Sequence, residues 1–180
     1  MPEDGFALTE LRLREPAQKS IRVNEFRETM GSMAATVSVV TTTHAHENIG
    51  RTVTAALSLS INPPSVLVSI DIASRLADMI LMARGFSMAM LAQGQEDVGD
   101  AFAGKLGLDD RFTYGQWGTW PSGNPMLLGA VAALDCELIG SIETGSHVLF
   151  AGAIVQSELA PALEPLIWHR HRYRSLTDPD

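Results

Sequence analysis

Between Thr52 and Ile61 apolar and small polar residues alternate without interruption. Val53, Ala55, Leu57, Leu59 and Ile61 would fall on one side of an extended segment, and Thr52, Thr54, Ala56, Ser58 and Ser60 on the other. A period of two predicts a strand with one packed face. The opposite face is a row of small, mostly hydroxyl-bearing side chains, which leaves the backbone open to close approach by a group with phosphates or carbonyls to satisfy. That face is a candidate shelf for a cofactor, although the same alternation also describes an ordinary solvated strand face.

Asn62-Pro63-Pro64 breaks this strand, because proline removes a ladder donor and restrains the residue before it. Val66-Leu67-Val68-Ser69-Ile70 follows as a near-continuous apolar strand, so the pair reads as two buried strands around a tight corner. Leu76, Met79, Ile80 and Ala83 then recur at helical spacing, with Ser74 as the N-cap and Gly85 as the stop. The free N-terminus of that helix, beside a hydroxyl-lined strand, would suit a phosphate.

Elsewhere the pattern predicts an arm over residues 1–22 and one folded domain over 23–180. A short helix carries Phe26, Met30 and Met33 toward the core, and a strand over 35–43 ends in a polar turn from His44 to Gly50. Phe86 to Leu91 reads as a strand and Gln95 to Ala103 as a helix with Val98 and Phe102 inward. Further strands are expected at 130–139 and 147–155, with a last extended segment at 166–176. Strands outnumber helices, and several gaps between them are of hairpin size. The fold class is therefore mainly β: a closed or partly closed antiparallel barrel with peripheral helices rather than a doubly wound sheet.

The chain has 180 residues and a net charge of −8, which fits one domain with a real core and argues against a nucleic-acid partner. No apolar run reaches the length of a membrane-spanning helix, and Met1-Pro2-Glu3-Asp4 lacks the basic and apolar regions of a signal peptide. A cytoplasmic location is expected. Cys136 is the one cysteine, so neither an internal disulfide nor a cysteine cluster is available; its strand-like surroundings suit a small buried hydrophobe better than a nucleophile.

Most familiar motifs fail on inspection. Gly99 to Lys105 has the spacing of a phosphate-binding loop, but Leu106 stands where Ser or Thr must hold magnesium. There is no Gly-x-Gly, no Gly-x-Ser-x-Gly and no His-Glu-x-x-His. His44 with His46, and His169 with His171, have two-apart spacing and no evident third ligand, so no metal is assigned. Arg170, Arg172 and Arg174 would share one strand face, as a solvated edge or as a clamp on an anionic cofactor.

An ordered series of segments resembles the short-chain flavin reductase family, the reductase components of two-component flavin monooxygenases. The series begins with Phe26-Arg27-Glu28-Thr29-Met30-Gly31, Val39-Val40-Thr41-Thr42, Thr52-Val53-Thr54-Ala55 with Ser58 and Ser60, and Asn62 to Val68. It continues through Phe102-Ala103-Gly104-Lys105, Asp110-Arg111-Phe112, Gly129-Ala130, Asp135-Cys136, Gly145-Ser146-His147 and Trp168 to Tyr173, covering about residues 24–176. Within the family, residues 95–136 are most similar to the flavin reductases of pyrimidine utilisation.

The resemblance implies an FMN-binding split β-barrel of Greek-key type, acting as a homodimer with the flavin near the subunit interface. It further implies that NADH or NADPH reduces FMN, or alternatively FAD, and that the reduced flavin leaves for a partner oxygenase. Carried over residue by residue, Thr52, Val53, Thr54 and Ala55, with Ser58 and Ser60 on the same shelf, would meet the flavin ring and ribityl chain. Asp71, Ser74 and Arg75 would lie near the phosphate, Phe102 and Lys105 would close the pocket, and Tyr173 would join the cofactor site. Lys105 also reads as a solvated helix end. Trp168 and Tyr173 are candidate interface anchors.

His147 is the candidate catalytic residue, placed at the nicotinamide site by a family Gly-Asp-His motif in which Ser146 here replaces the aspartate. An imidazole there could orient the nicotinamide amide or offset charge arising on the reduced flavin. It could equally be a strand-end histidine with ordinary hydrogen bonds. The Ser146 replacement motivates a second class of function, a flavin-binding protein without efficient nicotinamide-dependent reductase activity.

Overall fold

The computed structural model describes residues 16–107 and 111–176 together with the backbone of Thr9–Glu10. In chain order the elements are β1 (Thr9–Glu10), α1 (Val23–Gly31), β2 (Ala35–Thr36), β3 (Ser38–His44), β4 (Glu47–Val53), β5 (Ala56–Ile61), β6 (Pro64–Asp71), α2 (Arg75–Ala83) and β7 (Gly85–Met90). They continue with α3 (Glu96–Phe102), a single 3-10 turn (Arg111–Thr113), β8 (Trp117–Thr119), β9 (Pro125–Leu127), β10 (Ala132–Glu143), β11 (His147–Leu159), β12 (Ile167–His169) and β13 (Arg172–Arg174).

The main sheet runs β4-β3-β7-β10-β11-β6-β5 with every neighbour antiparallel, and β1 adds in parallel beside β10. It curls without closing, so β4 and β5, consecutive in sequence, form the two free edges. This is the partly closed antiparallel barrel that the strand-rich pattern predicts, with the split that the resemblance implies. Of the arm expected over residues 1–22, most lies outside the described residues.

Both faces of the central strands are buried, each in its own core. Val40, Phe86 and Met88 point into the barrel with Val68, Ile70, Leu138 and Phe150, where α2 contributes Leu76 and Ile80. Val39, Ala89 and Leu91, of opposite parity, pack outside it under α3 with Phe102, Leu127 and Leu166. Cys136 is one of the inner residues; burial, reinforced by the adjacent Asp135 charge, pushes its thiol up to about 12, which makes it inert.

Several expectations need correction. The alternating segment 52–61 is two strands, not one: β4 pairs with β3 and β5 with β6, and Thr54-Ala55 carries the chain between them. The expected packed face of β5 is open, with Leu57, Leu59 and Ile61 at 55%, 44% and 91% exposure. An edge strand has one partner, and a register shift between Ser58 and Ser60 further disturbs the alternation. Phe26, Met30 and Met33 of α1 and its flank are likewise exposed rather than core.

The polar turn is shorter than expected. Ala45 and His46 alone make it, both at positive φ, and Glu47 to Gly50 belong to β4. Ser74 does cap α2, accepting from Leu76 N at 3.3 Å, but Arg84 in the left-handed region ends the helix, and Gly85 already opens β7. Strands β8 and β9 are too short for a periodicity to reveal. The C-terminal segment is a hairpin with Arg170 and His171 at its turn, so Arg170 does not share a strand face with Arg172 and Arg174.

Candidate functional site

Where β4 leaves the sheet at Val53, the Thr54-Ala55 crossover spans the split and is tied to β6 by Ser69 N donating to Ala55 O at 3.0 Å. A cleft lies on each side of it. One, of about 410 Å³, opens onto the barrel core, with Met33, Leu57, Val66, Met88 and Met90 as its apolar wall and Thr36, Ser38, Thr54 and Ser58 supplying hydroxyls. The other, of about 270 Å³, is polar and lies between Arg51 to Ala55 of the crossover strand and Ser69, Asp71 and His147. Thr54 lines both.

The predicted shelf residues divide between these surroundings. Thr52 lines the polar cleft, but its Oγ1 is engaged with α3, donating to Gly99 O at 2.6 Å. Val53 packs on the inner core, whereas Thr54 and Ala55 are exposed at the crossover. Ser58 faces the apolar cleft. Ser60 exchanges hydrogen bonds with the backbone of Asn62 at the corner and lines neither.

The expected phosphate group of residues is engaged within the fold. Asp71 Oδ1 accepts from Ala73 N at 2.9 Å, Ser74 caps Leu76, and Arg75 makes a bidentate ion pair with Glu47. His147 opens β11 directly opposite Asp71 of β6. Its Nδ1 lies 2.9 Å from Ser146 Oγ, and its backbone N–H donates to Thr144 Oγ1 at 3.1 Å. The neutral Ser146 hydroxyl can therefore fix the orientation of the ring without adding the charge of an aspartate.

Phe102, Lys105 and Tyr173 lie elsewhere and line neither cleft at Thr54. Phe102 is wholly buried against Phe112 and Trp117, with ring centroids 5.0 and 5.4 Å away, and offers no surface to a ligand. Lys105 Nζ and Tyr173 OH both donate to Asp100 Oδ1 at 2.6 Å, and the ammonium lies 5.3 Å from the Trp168 ring centroid and 5.4 Å from that of Tyr173. Burial pushes the Asp100 carboxyl up, but the hydrogen bonds from Lys105 and Tyr173 and the Lys105 charge outweigh it and hold the group below its ordinary value. Burial and the Asp100 carboxylate push the Tyr173 phenol well above its own. The cluster fastens the C-terminal hairpin to α3.

Turns also separate the histidine pairs, since His46 and His171 both lie at positive φ. Among the described residues no three His, Cys, Asp or Glu side chains come together. Two residues to which the sequence assigned no role do stand by the site. Arg51 lines the polar cleft. Arg111, from the Asp110-Arg111-Phe112 segment, crosses to donate from Nη1 to Gly50 O at 3.0 Å. Their charge was legible; the reach of Arg111 to Gly50, 61 residues away in the chain, was not.

A family model described as a flavin reductase like domain matches residues 30–177. The reductase component of an FADH(2)-dependent resorcinol hydroxylase from Rhizobium sp. (strain MTP-10005) is 34% identical over 150 residues, 82% of this chain and 84% of that protein. An FMN reductase (NADH), RutF, from Ancylobacter novellus is 32% identical over 158 residues, 87% of each chain. The solved structure of the NADH:FAD oxidoreductase SgcE6 from Streptomyces globisporus C-1027, in complex with NAD and FAD fragments, superposes with a TM-score of 0.81 at 29% identity, covering 87% of this chain and 93% of that one.

Proposed function

Because the chain belongs to the flavin reductase like domain family, we propose that it is an NADH-dependent flavin reductase that binds FMN, or alternatively FAD, and releases the reduced flavin to a partner monooxygenase. The observation that carries the reading is the position of Thr54 between an apolar cleft and a polar one. A flat ring system with hydrogen-bonding edges fits such a junction, its face against Met88, Met90 and Val66 and its edge at the Thr54-Ala55 backbone. The nicotinamide would enter from the polar side, where His147 stands.

Bound flavin supplies the capacity to take a hydride from the nicotinamide. The chain's own residues bind and orient. Thr54 offers a hydroxyl with no partner among the described residues, and the apolar wall excludes water from one ring face. His147, steadied by Ser146, holds the carboxamide of the nicotinamide or a proton at its Nε2. The reading includes a homodimer, with the exposed Leu57, Leu59 and Ile61 of edge strand β5 and Phe26, Met30 and Met33 as its apolar surface. Trp168 and Tyr173 are less suited as anchors because they already pack edge to face on each other, centroids 5.0 Å apart, within one chain. No described helix is long and apolar enough to cross a membrane, and a cytoplasmic site of action is part of the proposal.

A second reading, a flavin binder without efficient reductase activity, is favoured by one observation: Ser146 brings no charge to His147. Adding NADH anaerobically to the flavin-loaded protein separates the two. Bleaching of the flavin absorbance on the turnover timescale supports the reductase, and a stable oxidised spectrum refutes it. Sedimentation tests the dimer, which a strictly monomeric species with tight flavin binding would contradict.

A further inference from the structure

Three of the eight methionines meet at the apolar cleft. Met88 and Met90, two apart on β7 and therefore on one face, reach it from the barrel, and Met33 reaches it from the connection between α1 and β2. Met33 is 59% exposed, Met90 is partly buried, and Met88 is 3% exposed. A thioether is polarisable and suits the face of a conjugated ring, but peroxide also oxidises it readily to the sulfoxide. No thiolate competes for that oxidant: Cys136, the one cysteine, is buried, and its thiol is pushed up to about 12.

The functional reading above, on which this inference rests, brings the oxidant to the same place. Where no oxygenase takes the reduced flavin away, dioxygen accepts two electrons and two protons from it and becomes hydrogen peroxide. We propose that Met33, backed by Met90, is a peroxide-modified site through which turnover in air without a flavin acceptor lowers flavin affinity. The thioether sulfur attacks one peroxide oxygen, and the S–O bond forms as the O–O bond breaks. Sulfur is oxidised by two electrons; the other oxygen is reduced and leaves as water with both protons. The sulfoxide is polar and chiral, so it spoils the wall that faces the ring until a sulfoxide reductase restores the thioether. Met88 is shielded behind the other two. Met30 and Met82, 44% and 54% exposed, do not line this cleft, so peroxide free in solution would reach them as readily as Met33. A dimer over the surface that carries Met30 and Met33 would shield both from solution and leave Met33 open to the cleft.

The test compares the parent with the double variant Met33→Leu, Met90→Leu. Each is turned over with NADH and FMN in air, with catalase to destroy peroxide that escapes, and is then mapped by peptide mass and titrated with FMN against its own anaerobic sample. The expected result is the mass gain of one oxygen atom at Met33, then Met90, ahead of Met30 and Met82. The FMN affinity of the parent should fall about tenfold or more, while the variant keeps its own starting value. Treating the oxidised parent with methionine sulfoxide reductase should restore its affinity, a measurement that decides the matter without the variant if the variant does not fold. Oxidation of Met30 and Met82 as fast as Met33, unmodified Met33 in a parent that turns over, or an affinity that does not change on oxidation or does not recover on repair would each overturn the proposal. So would an equal loss in the variant. A parent that does not reduce FMN with NADH removes the functional reading, and the modification with it because no peroxide then forms in the cleft; the other failures leave that reading standing.

Discussion

Thr52 and Thr54 are two residues apart and look equivalent in sequence, yet replacing them should have opposite consequences. Thr54 is exposed at the crossover and lines both clefts, so Thr54→Leu removes nothing from the fold. A change at such a position costs within about 0.5 kcal/mol of stability and moves Tm by less than about 2 °C. For the ligand it removes a hydroxyl, worth about 1 kcal/mol, and crowds a shaped site, costing about 1–3 kcal/mol more. The sum, about 2–4 kcal/mol, predicts flavin affinity weaker by about thirtyfold to several hundredfold. Thr52→Val instead removes the 2.6 Å bond to Gly99 O, which keeps only its helical bond from Ala103 N. This costs about 1–2 kcal/mol and lowers Tm by about 2–8 °C, with a smaller effect on flavin binding. Flavin fluorescence titration and thermal melts on the two variants decide the matter. Parental flavin affinity in Thr54→Leu, or a loss in Thr52→Val as large as in Thr54→Leu with no change in Tm, would refute the assignment of the crossover as the binding edge.

Three further outcomes are expected. His147→Ala should slow NADH-driven reduction or raise the NADH requirement by about tenfold to a hundredfold while flavin affinity holds, and Ser146→Asp should reduce flavin at least as fast as the parent; stopped-flow rates at the parent value for both across a range of NADH make His147 structural. Gly152→Ala would place a Cβ 2.5 Å from Phe86 Cζ and 2.8 Å from Cys136 Cβ, an overpacking that costs about 1–3 kcal/mol in urea unfolding. Gly140→Ala, whose nearest contact is Ala151 Cβ at 3.9 Å, should cost nothing, and equal midpoints for the two would contradict the packing. Asp100 has a depressed folded pKa, so its contribution is complete above the unfolded carboxylate value of about 4 and is lost as pH falls through the folded value; acid titration of Asp100→Asn should lack that loss, and an unchanged acid limb would show that the cluster contributes nothing.

Much of this molecule is local and was legible in the chain. Asn62-Pro63-Pro64 turns a corner because proline cannot continue a ladder, and Ser74 caps α2 because its short side chain reaches Leu76 N. Phe86 to Leu91 reads as a strand because it is buried on both faces and β7 has a neighbour on each side. The ordered motifs carried family membership, and Cys136 could be assigned to the core from its apolar surroundings.

What the chain could not show is which partner each strand finds. An alternation of period two says that one face is apolar, not that a neighbour covers it. Residues 52–61 look like one strand until pairing with β3 on one side and β6 on the other pulls them to opposite edges of the split, opening the Thr54 crossover and leaving Leu57, Leu59 and Ile61 uncovered. Lys105 finds Asp100, Trp168 and Tyr173, and Arg111 reaches Gly50, for the same reason. Hydrogen bonding along a few residues is decided by those residues alone, whereas the charge and hydroxyl environment of the site depends on contacts that exist only after the sheet has chosen its edges.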